Sequence, residues 1–215
     1  MTYLDLVNSV LRRLREEEVA TVSDTEYSKL IGDFVNDAYQ NVESAWDWTA
    51  LRSEIDITTV AGTDTYSLTG FGVRGKIFDV LNTTTNTVVY QENKIRNNQT
   101  KAFTENARGA PKYYHISGID VNGDAQLILT PTPDAAYAIK VYAEIRQGSL
   151  VNDADEISVP TQPIIQFAFA YALRERGETG GQSASEQLIF AQEDLRTAIT
   201  LDQNYHPDET TWNVT

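Results

Sequence analysis

The chain has 215 residues, with 31 Asp and Glu against 17 Lys and Arg, for a formal net charge of −14. With 41% hydrophobic and 10% aromatic residues its composition is globular, which argues against disorder, and its length suits one large domain or two small ones sharing an interface. So acidic a balance excludes a broad basic face that would grip the phosphate backbone; beside DNA such a protein repels it or lets it slide.

No apolar run approaches the ~20 residues that cross a bilayer, so no membrane-spanning segment is expected. Asp5, Arg12, Arg13 and Arg15 interrupt the apolar stretch that a secretory leader needs, and none is expected. The chain has no cysteine, which excludes a disulfide framework, thiolate catalysis and thiolate metal sites. A protein assembled in the cytoplasm fits, and the sequons at Asn82, Asn98 and Asn213 then read as chance matches.

Residues 1–50 predict two helices. Tyr3, Val7, Val10, Leu11 and Leu14 recur at three- and four-residue intervals, one face of an amphipathic helix. The second opens with Ser23 and Glu26 in capping-box spacing and carries the longest apolar stripe of the chain, from Tyr27 through Phe34 and Ala38 to Trp46. After Trp48 the period changes. Ile55 and Ile57 alternate with Glu54 and Asp56, the rhythm of a half-buried strand, and short β-rich runs follow at 65–68, 76–81, 87–91, 112–116, 125–130 and 137–146. Gly and Pro separate them, and Asn122-Gly123 reads as a two-residue hairpin turn. Helical rhythm returns after Pro160: residues 162–176 are apolar almost all round, as for a helix surrounded by others. Ser183 and Glu186 form a capping-box pattern before Leu188, Ala191, Leu195 and Ile199.

The predicted fold is therefore α+β: a discontinuous helical bundle from residues 1–50 and 156–202, an antiparallel β insert over 51–155, and an extended C-terminal tail over 203–215.

The motifs that promise chemistry read more plainly as turns. Gly70-Phe71-Gly72-Val73-Arg74-Gly75-Lys76 has the spacing of a dinucleotide or phosphate-binding loop, but both require a helix to follow. Ile77-Phe78-Asp79-Val80-Leu81 reads as strand, and Ile77 stands where a magnesium-holding hydroxyl belongs. Asp120-Val121-Asn122-Gly123-Asp124 resembles part of a calcium loop, yet its glycine comes fourth rather than sixth and Pro131 replaces the bidentate Glu. His115 and His206 give no zinc spacing. Trp46 and Trp48 read as packing groups between the helical and β regions. No catalytic residue, cofactor site or metal site is expected, and no enzymatic activity.

The order and spacing of several further strings carry a resemblance. Leu11-Arg12-Arg13-Leu14, then Phe34-Val35-Asn36-Asp37-Ala38 closing on Trp46-Asp47-Trp48, resemble the head-to-tail adaptors (head completion or tail accessory proteins) of tailed bacteriophages. Gly109-Ala110-Pro111-Lys112-Tyr113-Tyr114, the run Leu127 to Asp134, and Ala172-Leu173-Arg174-Glu175-Arg176-Gly177-Glu178 are similar to the same family. The resemblance spans residues 3–200.

It implies a structural virion subunit at the head–tail junction, assembled in the host cytoplasm, in a ring usually of about twelve copies. The ring joins the portal protein to tail nozzle or tail tube proteins and extends the DNA channel, with DNA passing without sequence-specific binding and no membrane involved. It also implies a C-terminal segment lying along the portal, which assigns portal binding to Tyr205, His206, Pro207 and Trp212. Two alternatives come from other classes: a virion-associated cell-wall hydrolase, which needs a carboxylate pair in a cleft, and a carbohydrate-binding module that stacks sugar on Tyr113, Tyr114 and neighbouring rings.

Overall fold

A computed structural model describes residues 1–93, 95, 99, 107–177 and 184–205. The chain divides into two compact units, Met1–Ala50 with Gly148–Thr215, and Leu51–Gln147. The first unit holds four helices among the described residues: α1 (Tyr3–Arg13), α2 (Glu26–Ala45), α3 (Thr161–Arg176) and α4 (Ala184–Gln203). The second holds, among its described residues, eight strands: β1 (Arg52–Thr58), β2 (Thr65–Ser67), β3 (Lys76–Asn82), β4 (Thr87–Val88), β5 (Tyr90–Gln91), β6 (Tyr113–Ile119), β7 (Ala125–Thr130) and β8 (Ala138–Glu144). The fold is α+β, with helices at both chain ends and antiparallel-rich sheets between them.

Both N-terminal helices start on reciprocal caps. Thr2 accepts the Asp5 N–H at 3.2 Å while Asp5 accepts the Thr2 N–H at 2.9 Å. The second cap corrects the sequence expectation. Thr25 and Ser28 exchange these bonds at 2.9 and 3.0 Å instead of Ser23 and Glu26. Thr25 is the last extended residue, which leaves Glu26 as the first residue of α2, pairing with Lys29 on the surface. The Ser28 hydroxyl also bonds the Val22 carbonyl at 2.8 Å, tying the incoming loop to the helix.

α3 is the central helix. It packs against α1, α2 and α4 and buries Ile164, Ile165, Phe167, Ala168, Ala172 and Leu173, which explains its nearly continuous apolar sequence. Gly177 ends it in the left-handed conformation that a Cβ disfavours. The cap expected at Ser183 lies outside the described residues. The approach to α3 is stitched to the N-terminus: the Tyr3 N–H donates to Asp155 O at 2.9 Å and the Leu4 N–H to Asp153 O at 3.1 Å.

In the second unit the strands form two four-stranded sheets, ordered β1-β8-β3-β4 and β2-β7-β6-β5. Their inner faces share one core that includes Leu68, Phe71, Val80, Leu127, Leu129 and Val141. Ile55 pairs with Val141 and Ile57 with Ile139, so the intervening Glu54 and Asp56 meet Lys140 on the outer face. Among the described residues the strands pair antiparallel except for a two-residue parallel contact of Tyr90 and Gln91 with Tyr113 and Tyr114, and an isolated parallel bridge joins Arg108 to Thr132. The short β4 and β5 run consecutively with Val89 buried between them, so residues 87–91 pass from the edge of one sheet to the edge of the other.

Candidate functional site

The glycine string is a turn that an internal carboxylate fills. Gly70 and Gly72 adopt positive φ, and their N–H groups donate to Asp124 Oδ1 at 3.0 and 3.1 Å. Phe71 between them enters the core, and its ring lies so close to Gly75 that a Cβ there would stand 2.7 Å from it. β3 begins at Lys76. The amides a phosphate would need therefore already hold an anion from the protein.

The Asn122-Gly123 hairpin is wider than its sequence suggested. β6 ends at Ile119 and β7 begins at Ala125, so five residues make the turn, and of these only Gly123 takes a positive φ. Asp120 organises it. One oxygen accepts the Asn122 and Asp124 N–H groups at 2.8 and 3.0 Å, and the other accepts the Ser67 hydroxyl at 2.6 Å. That hydroxyl, followed by the backbone donors, holds the Asp120 carboxyl below its usual range. Asp5, Asp24 and Asp155 are likewise lowered, mainly by backbone N–H groups. These carboxylates serve caps and turns. Among the described residues no group of acids and histidines is placed to hold a metal ion, and no helix is long and apolar enough to cross a membrane.

The helical unit presents three surface features. A groove between α2 and α3 is floored by Phe34 and Tyr171, whose rings meet edge to face at 6.3 Å, with Asn41 donating to the Tyr171 hydroxyl at 2.9 Å. Near the end of α3, Arg176 lies over the Tyr27 ring, donates to its hydroxyl at 2.7 Å and pairs with Glu16 at 2.6 Å. The third feature is α4, which leaves Ile189, Phe190 and Leu201 exposed on its outer side. Its far end is fixed by Asp202, whose Oδ2 accepts Trp46 Nε1 at 3.0 Å, the Thr49 N–H at 3.1 Å and the Thr49 hydroxyl at 3.3 Å. Trp48 is buried and donates Nε1 to the Val42 carbonyl at 2.9 Å, so both indoles have structural roles.

Of the residues assigned to portal binding, Tyr205 is 72% exposed just beyond α4, its N–H bonded to Asp202 O at 2.9 Å. His206, Pro207 and Trp212 lie outside the described residues. Tyr113 and Tyr114 do not form a shared platform: strand alternation leaves Tyr113 41% exposed and buries Tyr114 to 5%. Tyr113 instead lies beside Tyr90, which is 63% exposed, with Val88 40% exposed nearby. The sequence did not signal this patch, because it depends on β5 pairing with a strand more than twenty residues later.

Charge is segregated between the units. The helical unit contains 21 acidic and seven basic residues, whereas Leu51–Gln147 contains ten of each, so the whole net charge of −14 belongs to the helical unit. A protein-family model described as SU10 adaptor protein matches residues 1–211. None of the curated proteins matches the chain.

Proposed function

Because this chain belongs to the SU10 adaptor protein family, a family of structural components of the phage virion, we propose that it forms a ring joining the portal protein to the tail. The observation that carries this reading is the family match across nearly the whole chain. The architecture agrees with it: a helical unit built from both ends of the chain, a β insert, and an exposed Tyr205 just beyond α4 offer several distinct docking surfaces. The ring extends the DNA channel, and a strongly acidic unit facing that channel lets DNA pass without adhering. Tyr205, with His206, Pro207 and Trp212, anchors the tail on the portal, where burying a tryptophan adds on the order of 2–3 kcal/mol per copy.

The test is co-sedimentation and negative-stain imaging of the purified chain with its portal, alongside a form lacking residues 206–215. The full chain decorates the portal with a ring, while the shortened chain keeps its melting temperature and loses attachment. A full chain that stays monomeric beside portal refutes the adaptor ring. A shortened chain that binds normally but melts several degrees lower shows that the tail folds back on its own unit.

A further inference from the structure

The exposed patch at Val88, Tyr90 and Tyr113 raises the question of what covers it. Sheet edges in soluble proteins are normally guarded by charge, because an exposed apolar edge recruits another chain. β1, at the far edge of the sheet that β4 closes, obeys that rule with Arg52, Glu54 and Asp56. The β4–β5 edge does not. Among the described residues its groove is lined by Thr, Val, Tyr, Ala and Pro, with Lys112 the one charge.

We propose that this rim is the copy-to-copy contact of the ring, seating against the β1 edge of the next copy; this rests on the ring reading above. Three observations select a second copy, and that surface of it, as the occupant. First, charge decides which unit can approach its own kind. Contacts between helical units bring like charges together, whereas the β unit is neutral and meets its equivalent without net repulsion. Second, the edges are complementary: Lys112 stands in the apolar groove, and Glu54 and the largely exposed Asp56 stand on β1. Third, the topology suits a ring. β4, which carries Val88, and β1 are the two ends of the order β1-β8-β3-β4, and Tyr90 and Tyr113 continue the rim on the second sheet; the two surfaces are different, so the contact is heterologous and continues from copy to copy instead of stopping at a dimer.

The size of the patch sets its strength. Three partly exposed side chains offer on the order of 300 Å², well below the ~800 Å² per partner of a stable pairwise interface. Single contacts are therefore weak, and the chain is mainly monomeric until a closed ring or a template holds neighbours together at high effective concentration.

The absence of cysteine permits a direct test. A Tyr90→Cys chain carrying a benzophenone is mixed with isotope-labelled wild-type chain at high protein concentration and physiological ionic strength, irradiated, and mapped by mass spectrometry. Adducts are expected between copies and on residues 52–58, and Tyr113→Ser reduces them ~tenfold. A Phe190→Cys probe on α4 gives none there. Adducts between copies that fall on the helical unit, or no adduct between copies, overturns the proposal, while the portal sedimentation experiment judges the ring separately. Far-UV circular dichroism confirms that each variant is folded. If Tyr90→Ser with Tyr113→Ser melts lower yet cross-linking from Lys112→Cys is unchanged, the rim is covered by its own chain and the proposal fails.

Discussion

Replacing Asp202 by Ala removes the acceptor for three donors at once: Trp46 Nε1, the Thr49 N–H and the Thr49 hydroxyl, at 3.0 to 3.3 Å. Hydrogen bonds to a charged acceptor contribute roughly 1.5–3 kcal/mol when buried and about 1 when neutral. This site is partly exposed and its bonds share one oxygen, so they are not additive. We expect Asp202→Ala to cost about 2–3 kcal/mol and Asp202→Asn about 1, because the amide oxygen can take the same place without the charge. For a chain of this length that lowers Tm by roughly 2–4 °C per kcal/mol. Urea unfolding followed by circular dichroism measures the free energy, and tryptophan emission, compared with that of a Trp46→Phe chain to isolate the Trp46 contribution, reports the local change. The sequence neighbours of Asp202 are Leu201 and Gln203, so limited proteolysis should also find the end of α4 more open in the variant. The control is Thr49→Val, which removes one donor: a cycle with Asp202→Ala should give a coupling of about 0.5–1 kcal/mol. An Asp202→Ala chain that unfolds within about 0.5 kcal/mol of wild type, with unchanged Trp46 emission, refutes the claim that this carboxylate holds the end of α4.

Gly32→Ala should destabilise the α1–α2 contact by about 1–3 kcal/mol in urea unfolding, since its Cβ would stand 2.5 Å from the Tyr3 hydroxyl and 2.8 Å from Val22 Cγ1. Asp124→Ala should cost about 1 kcal/mol and shift the Gly70 and Gly72 amide resonances, because both N–H groups lose their acceptor. Alkaline pH should destabilise the helical unit through Tyr3. Burial foremost, with Asp33 and Asp153 nearby, pushes its pKa from the ordinary 10.0 up to about 12, so the neutral phenol is the form the fold prefers. That contribution is complete below pH 10 and is lost as pH rises through 12; Tyr3→Phe should flatten the loss in a stability-against-pH series.

The broad organisation was legible because hydrophobic period is local. The switch at Trp48 and the return after Pro160 correspond to the end of α2 and the start of α3, and the β-rich runs correspond to strands of the two sheets. Caps and turns were legible only in kind. Ser23–Glu26 and Thr25–Ser28 are both plausible capping pairs in sequence, and the contact of Ser28 with Val22 that accompanies the second is invisible there. The Gly70 loop was readable as a turn from the strand that follows it. Its partner Asp124 was not, because more than fifty positions separate them. The same distance problem hid the Asp202 anchor and the Tyr90–Tyr113 pair. Tyr205, one of the residues proposed to dock on the portal, is exposed just beyond α4.

The placement of both chain ends in one unit has a mechanical consequence. A pull applied at the end of α4 passes from α4 into α3, and from there to α1 and α2 by side-chain packing. The bonds from Tyr3 and Leu4 to Asp155 and Asp153 close that route at the N-terminus. Residues 51–147 lie along the covalent chain but outside this load path, in the manner of a slack loop beside a taut rope. As long as the helices stay packed, tension transmitted through the termini leaves the two sheets unloaded, and they take strain only after the helical contacts have given way.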